Sequence, residues 1–238
     1  AGAGTADGGG VSRADGDGAG KRARRMLTSV AELELAHWRR RVAELYGRVR
    51  SSADPEQGHG LFRAGRDALF RDHPQSPLNA ADRSLFSALD YFAYDSSYRV
   101  LGAVHPESSG ERFELDLGDD GRAGFRTVGW VRFQLHGQTC SLNLFQLEGY
   151  GGGLWLPFSD QTSGHQSYGG GRYLYDTIKG ADLGAGPSGL VLDFNFAYNP
   201  SCSYDARWIC PLSPQHNRLP LAVRAGERWV TERREKRV

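Results

Sequence analysis

The chain has only three cysteines among its 238 residues, too few for a small secreted scaffold stapled by disulfides. It has no apolar run near the roughly 18 residues of a membrane-spanning helix, so no membrane association is expected. It also lacks an excess of either charge. Lys+Arg number 29 against 28 Asp+Glu, a net +1, so no global field draws it to nucleic acid or to an acidic surface. Nucleic acid is therefore not an expected partner. Familiar catalytic signatures are missing as well: no Gly-x-Ser-x-Gly elbow, Walker loop, His-Glu-x-x-His, Cys-x-x-Cys or dinucleotide fingerprint occurs. What is present is 39% hydrophobic residues, enough for one core and a domain of ordinary size.

The first 25 residues differ from the rest. Eight are glycine, none is aromatic, and they end in Lys21-Arg22-Ala23-Arg24-Arg25. Such a composition buries too little apolar surface to offset its ordering entropy, so a disordered tail is expected. Without it, 24 basic residues face 25 acidic ones. The stretch has no apolar signal-peptide core, which points to the cytoplasm and to reduced thiols. Met26 is the only methionine, and a translation start there is one reading of the tail.

From Ser29 the pattern is helical, with Glu32 completing a capping-box spacing. Leu35, Trp38, Val42, Leu45 and Val49 recur at intervals of three and four. This stripe predicts an amphipathic helix over 26–50, either docked on the chain's own sheet or pairing two chains as a homodimer. Residues 51–60 read as a linker and 61–70 as a second helix. Beyond Asp90 the period falls to two. Strands are expected at 112–117, 124–128, 154–157, 172–178, 190–196 and 219–225. A hairpin over 130–147 is expected to turn at Gly137-Gln138, facing Leu135 with Cys140 and Phe133 with Leu142. The predicted fold is mainly β: an antiparallel β-sandwich or small barrel over 61–230, after one or two helices and before a charged tail at 231–238.

Chemistry-bearing residues concentrate between Leu154 and Glu227. Gly169-Gly170-Gly171-Arg172 is either an amide nest beside a guanidinium, suited to a carboxylate or phosphate, or a tight turn with Arg172 paired to an acid. Asp193 and Asn195 alternate with Phe194 and Phe196, so a strand would aim both polar groups one way. Asn199-Pro200 and Asn217 suit turns. Asp160, Ser163 and His165 are too close in sequence to converge as a triad and read as turn chemistry. Cys202, Cys210 and His216 could bind zinc, close a disulfide between the cysteines, or leave the thiols free. Cys140 falls on the apolar face of the hairpin.

Three stretches carry a resemblance. They are Pro157-Phe158-Ser159-Asp160-Gln161-Thr162-Ser163-Gly164 running into Tyr168-Gly169-Gly170-Gly171-Arg172-Tyr173-Leu174; Leu192-Asp193-Phe194-Asn195-Phe196-Ala197-Tyr198-Asn199-Pro200-Ser201-Cys202; and Trp208-Ile209-Cys210-Pro211-Leu212-Ser213-Pro214-Gln215-His216-Asn217-Arg218-Leu219 with Ala225-Gly226-Glu227. With Phe62-Arg63-Ala64-Gly65-Arg66-Asp67 and Asp90-Tyr91-Phe92, the chain resembles the prokaryotic family called domain of unknown function 1684, in a short form, over about 61–227. The resemblance implies no particular activity or cofactor. The residues themselves point to an enzyme acting on a small polar or anionic molecule, with Asp193, Glu227 and His165 as acid/base candidates. Arg172, Tyr168, Gly170, Asn195, Asn217 and Arg218 would hold the molecule. A non-catalytic ligand-binding domain and an interaction module built on the helix are the other readings.

Overall fold

The computed structural model describes residues 16–107, 110–116 and 121–229, with side chains from Val30 onward. Three helices come first: α1 (Gly16–Arg50), α2 (Pro55–Asp72) and the short α3 (Ala80–Ser84). Eight strands follow: β1 (Arg99–Pro106), β2 (Arg112–Asp116), β3 (Arg122–Leu135), β4 (Gln138–Leu147), β5 (Leu154–Phe158), β6 (Arg172–Asp176), β7 (Ala185–Gly186) and β8 (Gly189–Asp193). All pairings between them are antiparallel, in the order β6-β5-β4-β3-β1-β8-β7, with β2 beside the start of β3. The sheet curls into a half-barrel, so the chain is mainly β with N-terminal helices, as the periodicity predicts.

Several local expectations change. Ser29 lies inside α1 and not at its cap. The predicted tail falls partly on 1–15 and the C-terminal tail on 231–238, both outside the described residues. The linker shrinks, because Asp54-Pro55 starts a helix. The Asp54 carboxylate accepts from the Glu56 N–H at 2.9 Å and Pro55 occupies the first turn, where its missing N–H costs nothing. The hairpin turns at His136-Gly137, both with positive φ (48° and 77°), as a type I′ turn requires. Val131 therefore faces Leu142 and Phe133 faces Cys140, two residues away from the expected register. A shift of two preserves the face, and Val131, Phe133, Leu135, Cys140, Leu142 and Leu144 are all buried.

The strand expected at 190–196 stops at Asp193, whose side chain caps a 3-10 turn over Phe194–Phe196. The stretch 219–225 bends at Pro220 and Leu221 and joins no ladder. Leu219, Leu221, Val223 and Ala225 alternate into the core like a strand. Pro220, which has no N–H, interrupts the pairing, and only single bridges at Ser159–Arg218 and Tyr91–Glu227 flank the stretch. It is a strap across the half-barrel.

The sheet has apolar packing on both sides. On one, the strap meets Val131, Phe133, Leu142, Leu144, Phe158 and Phe194. On the other, Leu45, Tyr46 and Val49 of α1 and Phe62 and Phe70 of α2 meet Phe125, Phe145, Trp155 and Tyr173. The stripe on α1 thus docks on its own domain from Trp38 onward, while Val30 and Leu33 stay exposed. The two helices touch at Gly65, where a Cβ would come within 2.5 Å of Leu45 Cδ1.

Candidate functional site

Arg172 opens β6 and is 1% exposed. Its guanidinium donates to Asp160 Oδ2 at 2.9 Å, to the Val223 carbonyl at 2.9 Å, to the Ala225 carbonyl and to the Glu227 carbonyl at 3.3 Å. It also lies over the Phe158 ring. Burial pulls its pKa below the ordinary arginine value, against the pull of Asp160. Arg172 therefore clamps the strap to the sheet. The glycines before it serve the same geometry. Gly171 has φ 90°, and a Cβ there would meet Ser213 Cβ at 2.6 Å and the Phe158 carbonyl at 2.7 Å. Gly170 is hemmed in by the Tyr168 ring and Leu212.

The other candidates resolve into networks of their own, although the Glu227 carbonyl also takes part in the Arg172 cluster. Glu227 is buried and accepts from Arg66 at 2.8 Å, from the Asn199 N–H at 3.0 Å and from the Tyr204 hydroxyl. Arg66 also donates to the Tyr91 hydroxyl and stacks on Tyr198. Asp193 pairs with Arg99 at 3.2 Å and accepts from the Asn195 amide at 2.8 Å, while Asn195 also bonds both backbone groups of Asp95. Burial dominates and raises both Glu227 and Asp193 above the usual carboxylate value. Asn217 ties β4 to β5, accepting from the Asn143 N–H and donating to the Asn143 and Pro157 carbonyls. Arg218 and His165 are exposed. Asp160 turns to Arg172, with its other oxygen accepting from Thr162 and Val223, which leaves no triad with His165.

Tyr168, Cys202 and Cys210 do come together. The Tyr168 hydroxyl lies 3.8 Å from Cys202 Sγ, and the Cys202 N–H donates to Cys210 Sγ at 3.4 Å. His216 instead packs on Phe145. Among the described residues no group of three or more His, Cys, Asp or Glu is placed to hold a metal, so the zinc reading lacks its ligand set. All three cysteines are unbridged.

A concave feature of the fold lies elsewhere, between α1, α2 and the sheet. A cavity of about 340 Å³ is walled by Trp38, Val42, Phe70, Phe125, Leu147 and Trp155. Its polar lining includes Tyr46, Arg66, Asp176, Lys179, Asn199 and Cys210. Arg66 and Lys179 are engaged, with Glu227 and with Asp176 at 2.6 Å. Three buried atoms of lining residues have no hydrogen-bond partner: Tyr46 Oη, Trp155 Nε1 and Asn199 Oδ1. Sequence reading missed this site because its residues come from α1, α2, four strands and the loops around them and form no motif. Many of its residues lay in stretches that stood out, among them Arg66, Tyr173, Asn199 and Cys210, but nothing in the sequence placed them around one cavity.

The model of the family described as protein of unknown function DUF1684 matches residues 84–228. The chain belongs to this family. The match begins after Phe62–Asp67, which α2 contributes to the cavity side of the fold. A solved structure is also similar: the solution NMR structure of an uncharacterised protein from Haloarcula marismortui. It is 36% identical, with 70% of this chain and 90% of that one covered, at a TM-score of 0.55. None of the curated proteins matches. No helix among the described residues is long and apolar enough to cross a membrane.

Proposed function

We propose that this DUF1684 protein is a binding domain for a small, largely apolar molecule with a neutral polar group, seated between the helices and the sheet. The reading rests on three unpaired polar atoms buried in residues of the cavity wall, within reach of its space if those side chains adjust. An orphaned buried donor or acceptor costs about 1–3 kcal/mol, so three around one cavity favour a ligand that completes them. At about 340 Å³ the cavity sits at the lower end of ordinary ligand sites.

The atoms also restrict the ligand. Trp155 Nε1 can only donate, so the molecule needs an acceptor. Asn199 Nδ2 is fixed by donating to the Arg228 carbonyl at 3.0 Å, so its orphan is the acceptor Oδ1, and the molecule needs a donor too. A carboxylate supplies acceptors alone. An alcohol, phenol or amide supplies both. This moves the substrate class away from the anion suggested by Arg172, whose two terminal nitrogens are engaged within the fold and whose unpartnered Nε is buried with the rest of the side chain. It favours binding over the acid/base enzyme built on Asp193, Glu227 and His165.

The test is a panel of small aromatic and branched alcohols, amides and carboxylates, read by tryptophan fluorescence and by melting temperature. Trp38, Trp155 and Trp208 line the cavity and would report occupancy. A saturable response to the neutral classes, lost in Val42→Phe, supports the reading. If nothing binds and Val42→Phe merely raises the melting temperature, the cavity is a packing void and the proposal fails.

A further inference from the structure

The loop holding Cys202 and Cys210 is pinned at several points. Arg207 donates to the Ser76 and Leu78 carbonyls at 2.9 and 3.1 Å, and Trp208 Nε1 donates to the Pro77 carbonyl at 3.1 Å. The Tyr173 hydroxyl donates to the Pro211 carbonyl. The Cys210 sulfur is therefore held against the backbone of Cys202 by the fold, eight residues apart in sequence. Both side chains are half-buried, and Cys210 lies on the cavity wall. The Cys202 N–H donates to Cys210 Sγ at 3.4 Å, and the Lys179 ammonium lies near enough to favour a charged sulfur there. The other groups facing the pair are Tyr168 and Tyr173, with Asp176 beyond them holding Lys179.

We infer that Cys202 and Cys210 form an oxidant-responsive pair in which Cys210 is attacked first by a hydroperoxide and Cys202 resolves the product as a disulfide. The Cys210 thiolate displaces at the terminal oxygen of the peroxide. The S–O bond forms, the O–O bond breaks, and the remaining fragment leaves as an alcohol or water after taking a proton. Sulfur has then lost two electrons to the peroxide. The Cys202 thiolate attacks the sulfenic sulfur, the S–S bond forms, and hydroxide leaves as water with the proton that Cys202 released. The order follows from the asymmetry of the pair. Hydrogen bonds accepted from Cys202 draw the Cys210 thiol down to about 7, whereas donation and burial push Cys202 far above the usual thiol value. Cys140, buried in the hairpin and pushed up by that burial, stays out of the reaction. The inference stands apart from the ligand proposal, since it needs no occupant of the cavity.

The experiment treats the reduced full chain with limiting hydrogen peroxide, followed by intact mass and peptide mapping. The expected product has lost two hydrogen masses, carries a bond between Cys202 and Cys210, and keeps Cys140 as a free thiol. In Cys202→Ser, whose hydroxyl can still donate to Cys210, a sulfenic-acid trap such as dimedone should label Cys210. In Cys210→Ser, where burial alone still raises the Cys202 thiol, labelling of Cys202 should be slower than labelling of Cys210 in Cys202→Ser. Wild-type protein without that bond, or equal labelling of the two single variants, overturns the assignment. If a variant fails to fold, early dimedone competition on wild-type protein decides the order by which cysteine carries the adduct, and an adduct on Cys202 refutes it.

Discussion

Replacing Arg172 by methionine tests whether the buried cluster is a clamp. Arg172→Met keeps most of the side-chain volume and the contact with Phe158, so little cavity arises. What disappears is four donations, to Asp160, Val223, Ala225 and Glu227. Asp160 is 0% exposed, and its carboxylate would be left buried without a counter-charge. Two acceptances from the Thr162 and Val223 N–H groups at 2.7 and 3.1 Å would remain. Breaking one side of a buried pair costs about 3–5 kcal/mol, a large share of the roughly 5–15 kcal/mol by which domains are stable. At about 2–4 °C per kcal/mol for a domain of this size, melting should fall by roughly 6–20 °C. Urea denaturation with a constant slope measures the same loss. Adding Asp160→Asn removes the stranded charge but keeps an oxygen for both amides, so the double variant should regain much of the loss. A single variant within about 1 kcal/mol of wild type would refute the clamp. It would return Arg172 to the role of a ligand-binding cation.

Asp193 carries a pH prediction. Because burial raises its carboxyl in the folded state, the unfolded chain gives up this proton first. Its stabilising contribution is present below the ordinary carboxylate value and fades as pH rises through the raised one. The stability deficit of Asp193→Asn against wild type should shrink from acid to neutral pH, and a deficit that grows over that range contradicts the burial argument. Leu45 tests the docking of α1. It is 2% exposed, and Leu45→Ala should cost about 2–5 kcal/mol. Leu33, 71% exposed, should tolerate Leu33→Ser within about 0.5 kcal/mol and without change in elution volume. A shift to a smaller species in Leu33→Ser would show that α1 also pairs chains.

Periodicity and turn chemistry were local enough to read in the sequence. The stripe from Trp38 to Val49 specified a helix and its buried face, because side chains three and four apart share one side of a helix. The alternation from Val131 to Leu144 specified a hairpin with an apolar face, and that face survived a register error of two, because strand side chains alternate with period two. Family membership was legible for a related reason, since the Gly-, Pro- and Asn-rich loops near the C-terminus keep their order along the chain. Register itself was not legible: it depended on a histidine adopting positive φ ahead of Gly137, which its intrinsic preference disfavours. Nor did the sequence reveal that Asp193 ends β8 instead of lying within it. Whether the stretch after Asn217 joins the sheet turned on neighbours far away in the chain. The partners of the charged residues were equally hidden. Arg66 reaches Glu227 across 161 positions, Arg99 reaches Asp193 across 94, and Arg172 meets the strap more than fifty residues on. A guanidinium is chemically the same whether it awaits a ligand or closes a fold. Only the tertiary structure, by burying it among fixed carbonyls or leaving it open to solvent, decides which.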